Sequence, residues 1–445
     1  MSARALAAER SSMAPARSPR ALTAPEFGRL MRPLDPAARL GVAVSGGADS
    51  VALMVLIAGW CDWLEARGKE APKVTVLTVD HELRPEAAEE AAQVALWAKA
   101  LQVPHKTLCW EGDKPSSNLQ AEARTARYRL MADWCRSGRG RADLLTAHHL
   151  DDQAETFLIR LQRGSGVDGL SAMAPVRVHQ GVRILRPLLD VPRERLRSTL
   201  LKAGQSWIDD PSNEDERFLR VQVRNALPVL DELGINRDRL VSTAKAMGRA
   251  RAGLEFSTDV LERKAVRWQP FGYAEVETAC LADVPDEIAL RLLARLIQRV
   301  GGSAYPPRLS SLETLLDAVR GEELGRGRTL GGVKFTSRLA HFRVLREAAA
   351  VGQGLDLVSG SPLVWDGRFD VRLTGRKTSG TVRALGRVGL KQVKEEGLPL
   401  PTDVPKLALE TLPALWRDDE LLVQPQLAYF ATGAPTFRSR FLGET

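Results

Sequence analysis

Short apolar runs alternate with longer amphipathic stretches through the first third of the chain. The run at 40–44 leads into a glycine-rich turn, and a helical pattern opens at Ser50. Strands separated by helices of this length form a parallel sheet wrapped by helices on both faces, and ligands bind at the carboxyl ends of its strands. The predicted strands are 40–44, 73–80, 103–110 and 142–148, and the predicted helices start at Ser50 and cover 86–101, 118–135 and 151–163.

A linking segment at 182–230 follows this α/β pattern. Pro211 breaks the helical pattern before it, and the next helix is expected to start at Glu214. Arg220 and Arg224 are four residues apart, so they share one face of that helix.

The rest of the chain has a different pattern. Helical periodicity at 285–300 and 307–320 precedes a hairpin signal at Gly331-Gly332, and short alternating strands follow from 351. The hairpin signals there are Asp366-Gly367 and the turn at 417–419. The chain is therefore predicted to contain a disordered extension (1–30), an α/β domain (31–225), a helical domain (226–348) and a small β-rich domain (349–445).

Composition is ordinary for a soluble protein of two or three domains: 445 residues, 44% hydrophobic and 27% charged. A net charge of +8 permits a polyanionic partner without requiring one. No C-x-x-C pair occurs, which argues against a zinc site, an iron–sulfur cluster or a disulfide framework and favours a reducing cytoplasm. The four cysteines are Cys61, Cys109, Cys135 and Cys280.

No apolar run reaches the roughly 20 residues that span a bilayer, so we expect no membrane association. The first 25 residues are mostly Ala, Arg, Ser and Pro, a composition found in organelle transit peptides. They show no convincing amphipathic period, and we therefore favour a disordered extension.

The turn Ser45-Gly46-Gly47-Ala48-Asp49-Ser50 joins a predicted buried strand to a helix start. Its glycines let backbone N–H groups approach a ligand closely, and the helix dipole favours negative charge at the same place. No lysine follows these glycines, which excludes the ordinary phosphate loop of nucleotide hydrolases. A phosphate-binding turn of another kind is predicted, with a simple capped helix start as the alternative.

A polar cluster, HHLDDQAET, begins at His148, at a predicted strand end. Asp152 and Glu155 are three residues apart and share a helical face. Two such carboxylates can hold an ammonium group, accept its proton or bind Mg²⁺. Alternatively, the acids favour the helix dipole and the histidines are core residues. Adjacent histidines point different ways on a strand, so a zinc pair is not expected.

The turn SGGADS resembles that of the N-type ATP pyrophosphatases, or PP-loop family, which cut ATP between its α and β phosphates. Further motifs follow in an order similar to that of the tRNA(Ile)-lysidine synthase family, densely from about 40 to 230 and more loosely afterwards. They are NLQAEARTARY from Asn118, HHLDDQAETFLIRLQRGSGVDGL from His148, RPLL from Arg186, and WIDDPSN from Trp207 with Phe218, Arg220 and Arg224 after it.

This resemblance implies an adenine nucleotide alpha-hydrolase-like fold and a ligase that joins free L-lysine to C2 of the wobble cytidine, position 34, of tRNA(Ile) with anticodon CAU. It implies that 31–225 is an N-type ATP pyrophosphatase catalytic domain and that the helical domain 226–348 binds tRNA. It implies an adenylated cytidine, release of pyrophosphate and AMP, and a change of decoding from AUG to AUA. ATP and Mg²⁺ are the implied cofactors. The enzyme would be cytoplasmic, with a homodimer as one possible assembly.

The resemblance also implies roles for individual residues. Asp49 would bind Mg²⁺ with the phosphates, while Asp152 and Glu155 would position and deprotonate lysine. Arginines would stabilise phosphate charge or clamp the base, although a lone arginine is more often a surface charge. The ATP-binding residues would be Ser45, Gly46, Gly47, Ala48, Asp49 and Ser50; the catalytic arginines Arg127 and Arg220; and the substrate or tRNA contacts Arg124, His149, Arg160, Arg163 and Arg224.

Two other functions are compatible with an ATP-binding turn of this kind. tRNA sulfur insertion also proceeds through an adenylated base, but it needs a persulfide-carrying or cluster-binding set of cysteines that four scattered cysteines do not supply. A non-catalytic RNA-binding protein would tolerate losses in SGGADS or in the carboxylate pair, and neither motif shows one.

Overall fold

The computed structural model describes residues 19–82, 86–112, 114, 119–209, 215–360, 363–375 and 378–444. The chain divides into two compact units, Met1–Arg251 and Ala252–Thr445. None of the described helices is both long and apolar enough to cross a bilayer.

The first unit alternates strands and helices, as predicted. Its second strand has the predicted bounds, whereas the third and fourth are shorter than predicted. The elements are α1 Ala24–Met31, β1 Arg39–Ala43, α2 Ala48–Glu65, β2 Lys73–Asp80, α3 Glu86–Ala100, β3 His105–Cys109, α4 Leu119–Ser137, β4 Ala142–Leu145, α5 Leu150–Gln162, α6 Val167–Leu170, β5 Val176–His179, β6 Val182–Leu185, α7 Arg193–Ala203, α8 Leu219–Glu232 and α9 Arg237–Ala265, which contains the boundary between the units.

Six strands form one sheet in the order β3-β2-β1-β4-β6-β5. The first five strands in this order are parallel, and Val42 at the centre lies opposite Val76 of β2 and Leu145 of β4. The predicted parallel sheet is therefore confirmed. Two strands of the sheet were not predicted. β6 lies at the start of the expected linking segment 182–230 but pairs with β4 in the sheet, and the edge strand β5 is antiparallel to β6. The two strands are joined at Gln180-Gly181, where both residues have positive φ, as hairpin turns of the primed types require.

The core of this unit surrounds α2, which is apolar on nearly all sides because it is covered by the sheet and by other helices. The expectation of a disordered extension over 1–30 is wrong for α1. Phe27 and Met31 of that helix are fully buried in the core, and Thr23 with Glu26 forms a capping box at its start. Residues 1–18 lie outside the described residues.

Two predicted helix starts also need correction. The helix after the glycine turn begins at Ala48 rather than Ser50, since Gly47 already has the extended backbone of an N-cap. The helix expected from Glu214 begins at Leu219, after a turn at 215–218. The intervening part of WIDDPSN, 210–213, and Asn118 lie outside the described residues.

The second unit begins with mixed structure. Its first sheet has the antiparallel order β7-β8-β11-β10-β9 and contains the predicted hairpin, in which Leu330 pairs with Val333 across the two glycines. β7 and β8 were not predicted. The elements are β7 Val266–Gln269, β8 Tyr273–Glu277, α10 Asp286–Gly301, α11 Leu309–Arg320, β9 Arg328–Leu330, β10 Val333–Arg338 and β11 His341–Arg346.

The remaining residues form two small antiparallel sheets around Trp365, Phe369 and Trp416. Both predicted hairpin turns are confirmed. Two helices, α12 and α13, were not predicted. The elements are β12 Leu355–Val358, β13 Leu363–Trp365, β14 Phe369–Thr374, β15 Ser379–Ala384, α12 Gly386–Glu395, α13 Lys406–Glu410, β16 Pro413–Arg417, β17 Glu420–Gln424, β18 Tyr429–Phe430 and β19 Thr436–Phe441.

Candidate active site

The glycine turn leaves the end of β1 and bends back into α2. Gly46 has φ +92°, and its carbonyl accepts a hydrogen bond of 3.0 Å from the backbone N–H of Ile208. The Ser50 hydroxyl donates to the carbonyl of Gly47 at 2.9 Å and accepts from the N–H of Ser45 at 3.2 Å. The first backbone hydrogen bond of α2 is donated by Val51 to the carbonyl of Gly47. The N–H groups of Ala48, Asp49 and Ser50, which precede Val51 in the helix, are therefore available to an anion.

The turn lines a cavity together with residues from the ends of β1 and β4 and from α4, α5, α7 and α8. The sheet thus presents its carboxyl edge to the cavity, as a parallel sheet is expected to do. The predicted site residues that line it are Ser45, Gly47, Ala48, Asp49, Ser50, Arg124, Arg127, His149, Asp152, Arg220 and Arg224.

Asp49 lies between a histidine and an arginine. One carboxylate oxygen is 3.3 Å from Nε2 of His149, and the other is 3.5 Å from Nε of Arg193. Burial acts to raise the pKa of Asp49, but the contact with His149 and the charge of Arg193 outweigh it and lower this pKa. Asp49 is therefore an anion at neutral pH. Its Oδ1 is buried and accepts no hydrogen bond from the described residues.

His149 is 3% exposed and is surrounded by carboxylates. Its Nε2 lies 3.6 Å from Asp152, and its Nδ1 lies 3.6 Å from Asp151. Burial acts to lower the pKa of His149, but Asp49, Asp152 and Asp151 together raise it. The buried histidine is thus a member of the site that faces carboxylates, rather than an apolar core residue.

Glu155 is 1% exposed and holds two arginines of α8. One oxygen accepts from Nε of Arg220 at 2.7 Å, and the other accepts from Nε of Arg224 at 2.8 Å. Arg220 also lies 3.3 Å from Asp152, which is one helical turn from Glu155. The two carboxylates therefore have different surroundings: Asp152 lines the main cavity, whereas Glu155 lies beneath the arginines and beside a neighbouring cavity.

Both arginines of the NLQAEARTARY motif line the cavity. The Arg124 guanidinium lies 5.2 Å from the ring centre of Tyr128, and Arg127 donates to Nε2 of His81 from two nitrogens at 3.3 Å each. Each guanidinium thus contacts an aromatic side chain.

Two predicted tRNA contacts do not line the cavity. Nη1 of Arg160 donates to the carbonyls of Gly169 and Ala172 at 2.7 Å each, and so fixes α6 and the loop around it to the end of α5. Arg163 is exposed at the end of that helix.

The sequence analysis did not identify Arg193, which lines the cavity and faces Asp49. Arg193 follows Pro192 at the first position of α7, where the helix dipole disfavours a cation. An arginine at this unfavourable position could have indicated a functional residue from the sequence alone. His148 was noted only as part of its motif; Nδ1 lies 2.9 Å from the Thr146 hydroxyl, and burial lowers the pKa of His148 to about 4.

The residues fit a magnesium ion that is shared with phosphate. The described residues contain no group of three or more side chains able to hold a metal by themselves. Mg²⁺ is commonly bound through one or two carboxylates together with substrate phosphates and water. The Oδ1 of Asp49, which accepts no hydrogen bond from the described residues and lies beside the glycine turn, is suited to such a shared site.

Comparison with known proteins gives matches to most of the chain. A family model described as a PP-loop domain matches residues 21–230. A tRNA(Ile)-lysidine synthase of Ruegeria pomeroyi is 43% identical over 398 residues, 89% of this chain and 90% of that protein. Proteins of the same name are 42% identical in Rhodopseudomonas palustris, over 72% of this chain and 91% of the relative, and 34% identical in Wolbachia pipientis, over 88% and 89%.

Proposed function

The chain belongs to the tRNA(Ile)-lysidine synthase family, and we propose how its cavity carries out the reaction of that family. The protein is a ligase that uses ATP to form lysidine in tRNA(Ile), a reaction that makes a carbon–nitrogen bond. The observation that carries the proposed mechanism is the meeting of the glycine turn, Asp152 and five arginines in one cavity.

In the first step, the C2 oxygen of the wobble cytidine attacks the α phosphate of ATP, and pyrophosphate leaves. The free N–H groups at the start of α2 hold the phosphates, since a helix N-terminus favours anions. Arg127 and Arg193 reach the same cavity and stabilise the charge that develops on the phosphate oxygens.

Asp49, whose buried Oδ1 accepts no hydrogen bond from the described residues, is the residue that would hold Mg²⁺. When bound, the ion would supply neutralisation of the phosphate charge. His149 and Arg193 fix the carboxylate from its two ends, so that its oxygens keep one orientation toward the turn.

In the second step, the ε-amine of free lysine attacks C2 of the adenylated base, and AMP leaves. The ammonium form, whose reference pKa is about 10.4, must first lose a proton. Asp152 is the carboxylate that lines the cavity, so we assign it the binding and deprotonation of lysine. Glu155 has both oxygens occupied by arginines, and we assign it the positioning of Arg220 and Arg224.

The tRNA substrate carries the anticodon CAU, and its wobble base must leave the anticodon stack to reach the cavity. Arg124 and Arg224 line the cavity and are suited to the base or its neighbouring phosphates. Arg163 is exposed and suited to phosphate, whereas Arg160 acts through the loop that it fixes. Both substrates, tRNA and free lysine, are supplied by the cytoplasm, which supports a cytoplasmic location.

Sulfur insertion fits the site poorly. None of the four cysteines is among the described residues that line the cavity. Burial raises the pKa of Cys61 and of Cys135 to about 11, and a protonated thiol is a weak nucleophile.

The test supplies labelled lysine, ATP and a transcript of tRNA(Ile) with anticodon CAU. We expect label in the RNA that depends on ATP, and none with a methionine tRNA transcript. Absence of label with both transcripts would overturn the proposal. Release of pyrophosphate without lysine transfer would leave the first step standing and refute the second.

A further inference from the structure

Arg127 is held in an unusual way for an arginine at an anion site. Among the described residues no carboxylate lies within ion-pair distance of its guanidinium, whereas Arg220 and Arg224 both pair with Glu155. Its partner is instead the imidazole of His81, whose Nε2 lies 3.3 Å from two nitrogens of the guanidinium.

This contact fixes the protonation of the imidazole. Arginine has only donors, so Nε2 of His81 must be an acceptor and the ring proton must lie on Nδ1. Burial and the charge of Arg127 lower the pKa of His81 to about 4, against the opposing effect of Asp80. Lys114, also near the ring, acts in the same direction as Arg127. The imidazole is therefore neutral at physiological pH.

The ring is held independently of Arg127. Trp110 meets it edge to face, with ring centres 5.9 Å apart and planes at 88°. Trp110 is 7% exposed, and its backbone N–H donates to the carbonyl of Asp80 at 2.9 Å. His81 thus rests on an anchored part of the sheet edge.

From this arrangement we infer that His81 is a positioning residue that directs the Arg127 guanidinium into the cavity without cancelling its charge. A carboxylate in the same place would also orient the guanidinium, but the ion pair would weaken its attraction for phosphate oxygens. The inference rests on the proposed function, in which Arg127 stabilises charge on the α phosphate.

The test compares His81→Gln with His81→Glu, two side chains of equal length that differ in charge. Both can accept from Arg127, so a requirement for orientation alone predicts equal activities. We expect the kcat of tRNA-dependent pyrophosphate release to stay within about tenfold of the wild type for His81→Gln and to fall by about 10²-fold for His81→Glu. The KM for ATP should change little, and circular dichroism should show both variants folded.

Equal kcat values for the two folded variants would overturn the inference. So would a His81→Ala variant with wild-type kcat. Arg127→Ala separates this failure from failure of the proposed function. If that variant keeps full activity, the role of Arg127 itself is wrong. If it loses activity while His81→Glu does not, only the role of His81 is wrong.

Discussion

Ile208 packs against Gly46: its backbone N–H donates to the Gly46 carbonyl at 3.0 Å, and its Cδ1 lies 2.8 Å from the position that a Cβ atom on Gly46 would occupy. The WIDDPSN motif therefore packs directly on the SGGADS turn, although the two are separated by more than 150 residues. The shape of the phosphate-binding turn depends on both segments.

Replacing Gly46 with Ala should distort this turn. Its φ of +92° is costly for an L-residue, and the added methyl group meets Ile208. We expect a loss of about 1–2 kcal/mol in the free energy of unfolding, together with weaker ATP binding. Urea unfolding and calorimetric titration with ATP measure the two effects.

Gly47→Ala is the matched control. Gly47 has φ −69°, and its added Cβ would come no closer than 3.9 Å to another residue. Its stability should stay within about 0.5 kcal/mol of the wild type. A Gly46→Ala variant as stable as Gly47→Ala would show that the turn tolerates the methyl group and that the packing argument is wrong.

The capping box of α1 should make the free energy of unfolding depend on pH in the acidic range. The hydrogen bonds from the side chain and backbone of Thr23, aided by Arg195, lower the pKa of Glu26 from 4.5 to about 2. A lowered pKa stabilises the fold above the unfolded value, and this contribution is lost as the pH falls from about 4.5 toward 2. Glu26→Gln should therefore cost about 1 kcal/mol at neutral pH and progressively less in acid.

Urea unfolding of the two proteins between about pH 7 and pH 3 gives this difference directly. A gap that stays constant over that range would mean that the Glu26 carboxylate is not responsible. The same result would weaken the assignment of α1 to the folded core, since the box closes the start of that helix.

A ladder of ion pairs joins the second-unit part of α9 to α10. Arg295 lies at its centre and contacts three carboxylates. Arg295→Met should leave these acids close together and destabilise the protein by about 1–2 kcal/mol at low salt. The acids are Glu255, Asp259 and Glu262, and their other arginine partners are Arg291 and Arg299.

The dependence on salt distinguishes the repulsion among the three acids from the loss of side-chain packing. Added salt of about 0.5 M should screen the repulsion and narrow the gap between variant and wild type. Arg326→Met, at an exposed arginine, serves as the control and should change stability little at either salt concentration. If the difference in stability between Arg295→Met and the wild type does not change with salt, the loss comes from the packing of the aliphatic part of the arginine side chain instead.

Local patterns predicted the parts of the fold and the site that depend on neighbouring residues. The parallel sheet followed from alternating periods, and the phosphate-binding turn followed from six adjacent residues. The pairs that complete the site join distant positions: Glu155 with Arg220 and Arg224, and Arg127 with His81. Periodicity carries no information about such contacts.

Basic residues show the same limit in the second unit. The segment 326–346 is rich in arginine, with Arg326, Arg328, Arg338, Arg343 and Arg346. Arg343 donates to Glu275 at 2.7 Å, and Arg346 donates to Asp366 at 2.7 Å. These two charges are used within the fold, and their partners lie on other strands or loops that a count of arginines cannot identify.

Replacing Asp152 and replacing Glu155 of the HHLDDQAET motif should affect the two steps of the reaction differently. Asp152 lines the cavity and Glu155 does not. Asp152→Asn keeps the size of the side chain, and we expect it to abolish transfer of lysine while tRNA-dependent pyrophosphate release continues, because the amide cannot take the proton of lysine.

Glu155→Gln should impair both steps. It removes the charge that holds Arg220 and Arg224. Because their side chains are 39% and 35% exposed, the free energy of unfolding should fall by about 2 kcal/mol, less than for a fully buried ion pair.

Lysine transfer and pyrophosphate release should be measured in parallel on both variants, Asp152→Asn and Glu155→Gln. Asp152→Asn with normal transfer would refute its role as the base. Glu155→Gln with normal pyrophosphate release and no transfer would exchange the two roles, because it would make Glu155 the residue that serves lysine.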